Sequence, residues 1–302
     1  MRPKVRGSFH TTALATLAGG LIVSVAMAGT AMAGTSTTGS NQGTARSTAA
    51  AWLPDVVQTA QLASAAHEPK GMPAVGRAVP DVRAAGSGFW YADANQHATS
   101  SGGGGTYLVE DPTVAASDFH SLGEVAVQSA DGKQIVEEGW IVARQLFGDI
   151  LPHLFVFHWV NGVATCYDGC GFVSTSTVTT AGMTLPAGST QRFIIKQAAG
   201  QWRVMDNGTE VGYFPDSLWR GSYNQAGLTQ WFGEVAAGET PPCSQMGDGQ
   251  FASAPSAASI KNITLVHGPA VSISLLVTNP AYYSVQQTSS TSIRFGGPGG
   301  CA

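Results

Sequence analysis

Two carboxyl groups of this chain sit inside apolar, aromatic runs, where a side chain of that type needs a reason to be. In Ile135-Val136-Glu137-Glu138-Gly139-Trp140-Ile141-Val142, a two-residue period places Glu137 on the face of Ile135, Gly139 and Ile141, and Glu138 on the opposite face. In Thr229-Gln230-Trp231-Phe232-Gly233-Glu234-Val235, Glu234 shares its face with Gln230 and Phe232. A carboxyl flanked in this way is partly desolvated or lines a groove. If the two approach each other, ionising both is unfavourable and the pair shares one proton. Such a pair activates water with its ionised member and protonates a leaving group with the other, as paired carboxylates do in aspartic proteases and glycosidases. Against this stands the structural alternative, in which a Glu in a strand is a solvated residue or a guard against edge pairing.

Other chemistries lack their residues. There is no G-x-S-x-G elbow, no S-x-x-K and no Cys in a protease-like setting. Walker and Rossmann glycine patterns are missing, and the Gly-rich segments have no following helix to complete a phosphate cradle. The seven His do not fall at ligand spacings and there is no H-E-x-x-H, so no metal and no other cofactor is expected. His153 and His158 read as structural. Charged residues make up only 11% of the 302, against about a quarter in an average soluble domain. With a net charge of −4 and no Lys/Arg cluster beyond the first few residues, nucleic acid is not an expected partner.

The elements that must position the carboxyls follow from punctuation and alternation. Residues 1–33 read as a secretory signal peptide: Arg2, Lys4 and Arg6 form a basic start, Ala13 to Met27 an apolar stretch, and Ala26-Met27-Ala28 and Ala31-Met32-Ala33 two cleavage candidates. Secretion follows, and no later segment is long and apolar enough to span a bilayer, so no membrane contact is expected once the signal is removed. Residues 34–87 are rich in Ala, Thr, Ser and Pro and read as a linker or short pro-segment. Beyond them strands dominate. Gly123 to Val127 and Ile135 to Ala143 alternate around Asp131-Gly132, a pair that favours a tight hairpin. Leu154 to Trp159 precedes a second such pair, Asn161-Gly162, and Asn207-Gly208 joins Trp202 to Met205 with Val211 to Phe214. Phe172 to Val178, Arg192 to Gln197, Thr229 to Ala236, Ile260 to Val266 and Val271 to Thr278 continue the series, whereas Ser100 to Gly105 reads as a loop. No helical period interrupts them, so an all-β antiparallel sandwich is expected, with a closed barrel not distinguished by spacing. In an oxidising compartment the four Cys pair; proximity suggests Cys166 with Cys170 and Cys243 with Cys301, one of three possible pairings.

A series of words then resembles the neprosin family of secreted glutamic peptidases. Ser87 to Ala94 is similar to the family's opening Tyr-containing strand, and Phe119-His-Ser-Leu-Gly-Glu-Val125 to its F-S-L-x-Q strand. Glu137-Glu-Gly-Trp140 with Leu146-Phe-Gly-Asp149 resembles the E-x-G-W and L-Y-G-D words around the first catalytic glutamate. Leu154 to Trp159, and Gly162 to Phe172 with Cys166-Tyr167 and Cys170-Gly-Phe172, resemble L-F-x-Y-W and G-C-Y…C-x-G-F. Val211-Gly-Tyr-Phe-Pro215 is similar to G-Y-W-P, and Trp231-Phe-Gly-Glu-Val235 to W-G-G-E-V, the word of the second catalytic glutamate. Gln245 to Gly249, Ile260 to Ile263 and Phe295 to Gly299 complete the series in order.

The resemblance implies that Glu137 and Glu234 are the catalytic pair of a curved β-sandwich whose groove holds a peptide, acting at acidic pH and cleaving after proline. It makes residues 88–302 the peptidase domain, a proline-containing peptide or protein the partner, and the chain a monomer. Trp140, Tyr213 and Trp231 are the candidates for walls that pack on a proline ring. Two departures stand out: Phe232 replaces a Gly of the second word, and Tyr282-Tyr283 stands where the family's tail carries a Cys, which leaves Cys243 for Cys301 if Cys166 pairs with Cys170. The rival readings are an inactive sandwich that binds peptide or carbohydrate, with Glu137 and Glu234 on different sheets or more than about 10 Å apart, and a sandwich glycoside hydrolase with carboxyls roughly 5 to 9.5 Å apart.

Overall fold

The computed structural model describes residues 88–301; the expected signal peptide and linker lie outside the described residues. In chain order the strands are β1 (Gly88–Ser100), β2 (Gly102–Leu108), β3 (His120–Gln128), β4 (Ile135–Val142), β5 (His153–Val160), β6 (Val163–Ala164), β7 (Val173–Ser174) and β8 (Thr190–Gln197). They continue with β9 (Gln201–Asp206), β10 (Thr209–Pro215), β11 (Ala226–Ala237), β12 (Ser259–Leu265), β13 (Ser274–Val277), β14 (Ser284–Ser289) and β15 (Ser292–Gly296). Among the described residues they form two sheets, ordered β13-β1-β11-β3-β4-β5-β6 and β14-β15-β12-β2-β8-β9-β10-β7. The paired strands run antiparallel. Each sheet ends in its own edge strands, so the architecture is a sandwich and not a closed barrel.

The interior is built from inward-facing alternate residues. Trp90, Val125, Trp140 and Trp231 of the first sheet meet Phe193, Ile195, Trp202 and Phe295 of the second in one buried cluster. A second cluster, with Leu122, Ile135, Ile141, Phe155, Phe157, Trp159 and Phe232, lies on the other face of the first sheet. That sheet is therefore apolar on both sides, which explains why β3, β4 and nearly all of β11 are buried throughout.

Turn chemistry holds at two of the three expected pairs. Asn161-Gly162 and Asn207-Gly208 both place two consecutive residues at positive φ, as a two-residue hairpin turn requires. Asp131-Gly132 does not: the Ser129 N–H donates to the Gln134 carbonyl at 2.8 Å, leaving residues 130 to 133 as a wider loop. There Asp131 accepts from the Ser129 hydroxyl at 2.6 Å instead.

The expected loop at Ser100 to Gly105 is a correction of larger consequence. Its glycines open β2, a central strand of the second sheet between β12 and β8. A Cβ on Gly104 would lie 2.1 Å from the Phe193 carbonyl oxygen, and one on Gly103 would lie 2.6 Å from Thr229 Cγ2. The Trp231 indole N–H donates to the Gly104 carbonyl at 3.0 Å. The glycine run is a packing requirement where backbone meets a large ring. Two other expectations shrink, Phe172 to Val178 to a two-residue strand and Val271 to Thr278 to Ser274–Val277, while the β14–β15 hairpin arises from a Ser- and Gln-rich stretch without a strand signal.

A single-turn helix, α1 (Arg144–Phe147), follows β4 and ends at Gly148 in the left-handed region. Disulfides join Cys166 to Cys170 and Cys243 to Cys301. The first closes a small loop after β6; the second ties the segment after β11 to the chain's end.

Candidate active site

The central strand trio β11-β3-β4 presents the two glutamates. On β4 the pleat turns Glu137 toward the face of Ile135 and Ile141, whereas Val136 and Trp140 point into the inter-sheet core. On β11 Phe232 and Glu234 share that same outer face, with Trp231 and Val235 turned inward. Between them β3 offers His120, Leu122, Glu124, Ala126 and Gln128 by the same alternation. Both glutamates therefore occupy one face of one sheet, and both are fully buried.

Register sets their spacing. Glu137 lies opposite Ala126, Glu234 lies opposite Leu122, and Glu124 stands midway between those two positions. Each glutamate is thus a diagonal neighbour of Glu124. Diagonal neighbours lie roughly 7–8 Å apart, so the Glu137 and Glu234 backbones are separated by roughly 15 Å. That spacing belongs to the backbones; the two side chains rise from the same face of the sheet. The common face departs from the binding-module reading with the glutamates on different sheets.

Each glutamate has a ring nitrogen beside it. The Trp159 indole N–H donates to Glu137 Oε1 at 3.0 Å, and His120 Nε2 lies 2.8 Å from Glu234 Oε1. Nearby, Gln128 Nε2 donates to Gln230 Oε1, and Asn95 Nδ2 donates to Asp93 Oδ2 at 2.7 Å. Asp93, opposite Phe232 on the neighbouring strand, is pushed up to about 7 by burial, against hydrogen bonds from Asn95 and Gln230 that pull it down. Below the sheet the Tyr107 hydroxyl donates to the Glu124 main-chain carbonyl at 2.9 Å. Burial, then the charges of Glu124, Glu138 and Asp93, raise that phenol well above its ordinary value. An acidic strip in an apolar face is an environment in which carboxyls hold protons above the usual range.

The end of β11 is held by Asp118. Its carboxylate accepts from the Gly238 and Cys243 amides at 3.2 and 3.0 Å, and from the Ser244 amide and hydroxyl at 2.9 and 2.7 Å. Among the described residues no group of three or more His, Cys, Asp or Glu side chains is arranged to hold a metal ion.

The expected aromatic walls are elsewhere, another correction. Trp140 and Trp231 belong to the inter-sheet core, and Tyr213 lies half-buried on β10 of the second sheet, opposite Arg203 and Val173. The reason is parity: Trp140 and Trp231 stand three residues from Glu137 and Glu234, an odd step that changes face. The rings that share the glutamates' face are Phe155, Phe157, Trp159, Tyr167, Phe232 and the partly buried Tyr91. Tyr91 and Phe232 meet edge to face at 5.7 Å. Glu138, the catalyst had the register moved by one, faces the second sheet and is raised well above the ordinary carboxyl range by burial first and the Asp206 charge second. His120, Glu124, Asp93 and Trp159 escaped the search for chemistry. Glu124 and Trp159 each had a signal, lying inside strands already recognised along the chain.

The structure bears comparison with known proteins. It matches scytalido-glutamic peptidase bound to a peptide-based transition-state analogue at 10% identity and TM-score 0.38, covering 69% of this chain and 97% of that one. SCP-B, a member of the Eqolisin family in complex with the tripeptide Ala-Ile-His, matches at 9% identity and TM-score 0.37, covering 69% and 97%. A homodimeric agglutinin from chicken liver, CG-16, matches at 10% identity and TM-score 0.28, covering 57% and 89%. A family model, Neprosin, matches residues 117–298, from just before β3 to the end of β15 and so across both glutamate strands. The chain belongs to the neprosin family.

Proposed function

We propose that this chain is a secreted endopeptidase that cleaves after proline at acidic pH, with Glu137 and Glu234 as its catalytic residues. The observation that carries the reading is the shared buried face, on which each glutamate has its own ring nitrogen partner. The His120 ring beside Glu234 favours the ionised carboxylate, by donating to it or by carrying a positive charge at hydrogen-bond distance. Glu234 is then the base and Glu137, beside a neutral indole, the acid. Glu234 takes a proton from water as the water oxygen bonds to the scissile carbonyl carbon. Glu137 donates a hydrogen bond to the carbonyl oxygen, then passes its proton to the amine nitrogen as the carbon–nitrogen bond breaks. Tyr91, Phe157, Tyr167 and Phe232 supply apolar surface to the same face for a pyrrolidine ring. The two disulfides suit an oxidising compartment, in keeping with export.

Digestion of a proline-containing protein at acidic pH, with cut sites mapped by mass spectrometry, tests this reading. Cuts after proline that disappear in Glu137→Gln and Glu234→Gln, with the fold retained, are the expected result. Intact substrate with the unaltered chain would return the molecule to the binding reading, and cuts elsewhere would remove the proline preference.

A further inference from the structure

We propose that the solvent face of the second sheet is a docking surface for a carboxylated polysaccharide, seated on a band of five cations that ends at Tyr213. Residues 88–302 carry eight Lys and Arg against sixteen Asp and Glu, so cations are scarce and their placement is informative. Five of the eight, Arg192, Lys196, Arg203, Lys261 and Arg294, stand on β8, β9, β12 and β15. Alternation turns all five outward, because their neighbours Phe193, Ile195, Trp202, Val204, Ile260 and Ile293 belong to the inter-sheet core. Of the two acids on the strands of this sheet, Asp206 alternates inward with Val204, and only Glu210 joins the cations outside.

Register joins the five into a band. Arg294 lies opposite Ser259, which puts it diagonal to Lys261 two residues on. Lys261 lies opposite Thr106, and Thr106 opposite Arg192. Four residues further along β8, about 13 Å, Lys196 lies directly opposite Arg203, and Arg203 opposite Tyr213. From β15 to β10 the band crosses six strands, a width of about 24 Å. Like charges directly opposite on one face of a sheet oppose folding, so the Lys196 and Arg203 pair costs stability that a bound anion would return. Arg203 has the Glu210 carboxylate at 2.5 Å; among the described residues the other four cations have no ion-pair partner. The Arg192 and Arg294 guanidinium groups are held instead by neutral acceptors, the Thr106 hydroxyl at 3.3 Å and the Ala254 carbonyl at 2.7 Å.

The chemistry of the face selects the partner. A sheet surface of cations without counter-charges attracts a polyanion, and the Arg203 contact with Glu210 is already a guanidinium–carboxylate pair on this face. Tyr213, half-buried at the end of the band, offers one ring for a sugar to pack on. A lone ring is not the row of stacking platforms with which proteins hold single-stranded nucleic acid. Of the exposed large apolar side chains only Val173, on edge strand β7 opposite Tyr213, borders the band. The face therefore lacks both the apolar wedge that enters a bilayer and the apolar anchor of a protein interface. It is the far side of the sandwich from Glu137 and Glu234, so a polymer held here leaves their face turned away from it.

The test is binding of the full chain to polygalacturonate at near-neutral pH and low salt, with uncharged dextran, single-stranded DNA and phosphatidylserine vesicles as the alternatives. Binding to polygalacturonate that weakens as added salt screens it, with none to dextran, is the expected result. Lys196→Gln and Lys261→Gln should each weaken it by about 5-fold, and together by about 25-fold, the worth of one basic side chain at an anionic surface. Tyr213→Ala should weaken it by about 2- to 10-fold, the range for a packed aromatic ring. Lys133→Gln removes an exposed cation from the loop between β3 and β4, away from the band, and should leave binding unchanged. Should half-buried Lys196 prove necessary for a cooperative thermal transition, exposed Lys261 carries the comparison alone. Undiminished binding by the Lys variants or by Tyr213→Ala, or a loss of equal size in Lys133→Gln, would overturn the proposal. So would tighter binding to dextran, DNA or vesicles than to polygalacturonate, or no binding to polygalacturonate by the unaltered chain.

Discussion

Glu137 and Glu138 are consecutive residues of one strand, both fully buried, in opposite surroundings. Glu137 faces the outer side of the first sheet, where Trp159 donates to it and further carboxyls lie in the adjoining strands. Glu138 faces the second sheet, among the large rings of the inter-sheet core, where burial holds it protonated. The comparison teaches that burial of an acid is not itself a sign of catalysis. What separates the two faces is the kind of group that meets them: His120, Glu124 and Asp93 side chains line the outer face, whereas Glu138 meets backbone hydrogen bonds at Ile194 and Met205 and the Asp206 charge.

The largest expected effect separates the two residues directly. Glu137→Gln should lower kcat by about 10²–10⁴-fold, the range for a positioned acid or base, while Glu138→Gln leaves kcat unchanged at acidic pH. Equal losses in the two variants would erase the distinction between the faces. Next is the core side: Trp140→Ala, measured by chemical denaturation, should cost about 3–5 kcal/mol of stability, since it empties a fully buried site between the sheets.

A third effect concerns pH. Glu138 is raised by burial and by Asp206, Asp93 is pushed up to about 7 and Asp206 to about 6, each chiefly by burial. The folded state keeps protons that the unfolded chain has released, so these groups contribute stability that is fully present below the unfolded carboxyl value of about 4. That stability is lost as pH rises through about 6 to 7, and beyond for Glu138. The urea midpoint should therefore fall between acidic and neutral pH, and Glu138→Gln should flatten the fall by removing one of the groups that ionise. A midpoint that rises over this interval would contradict the burial of these acids. The smallest effect is expected from Trp159→Phe, which keeps most of the ring and deletes the N–H bonded to Glu137. It should lower stability by about 1–3 kcal/mol and shift the acid limb of activity.

Much of the site was legible along single strands. Alternation assigned Glu137 to the face of Ile135 and Ile141, and Glu234 to that of Phe232, as found. The same rule, applied consistently, would also have removed Trp140 and Trp231 from that face. What could not be read was the partner of each group. His120 lies 114 residues from Glu234 and Trp159 lies 22 from Glu137, on separate strands. The Gly102–Gly105 run carried no strand signal because its reason is the Trp231 ring and the Phe193 backbone, both distant in sequence.

By itself the chain determined which residues share a face within each strand, because alternation follows from local backbone geometry that every extended segment obeys. It also determined the turns at Asn161-Gly162 and Asn207-Gly208, where two adjacent residues must take positive φ. Only the tertiary structure decided that β3 lies between β11 and β4, and in which register. Strand order and register are settled by long-range packing of both faces at once, and a slip of one residue would turn every side chain over. That decision set the spacing of Glu137 and Glu234, and placed Glu124 between them.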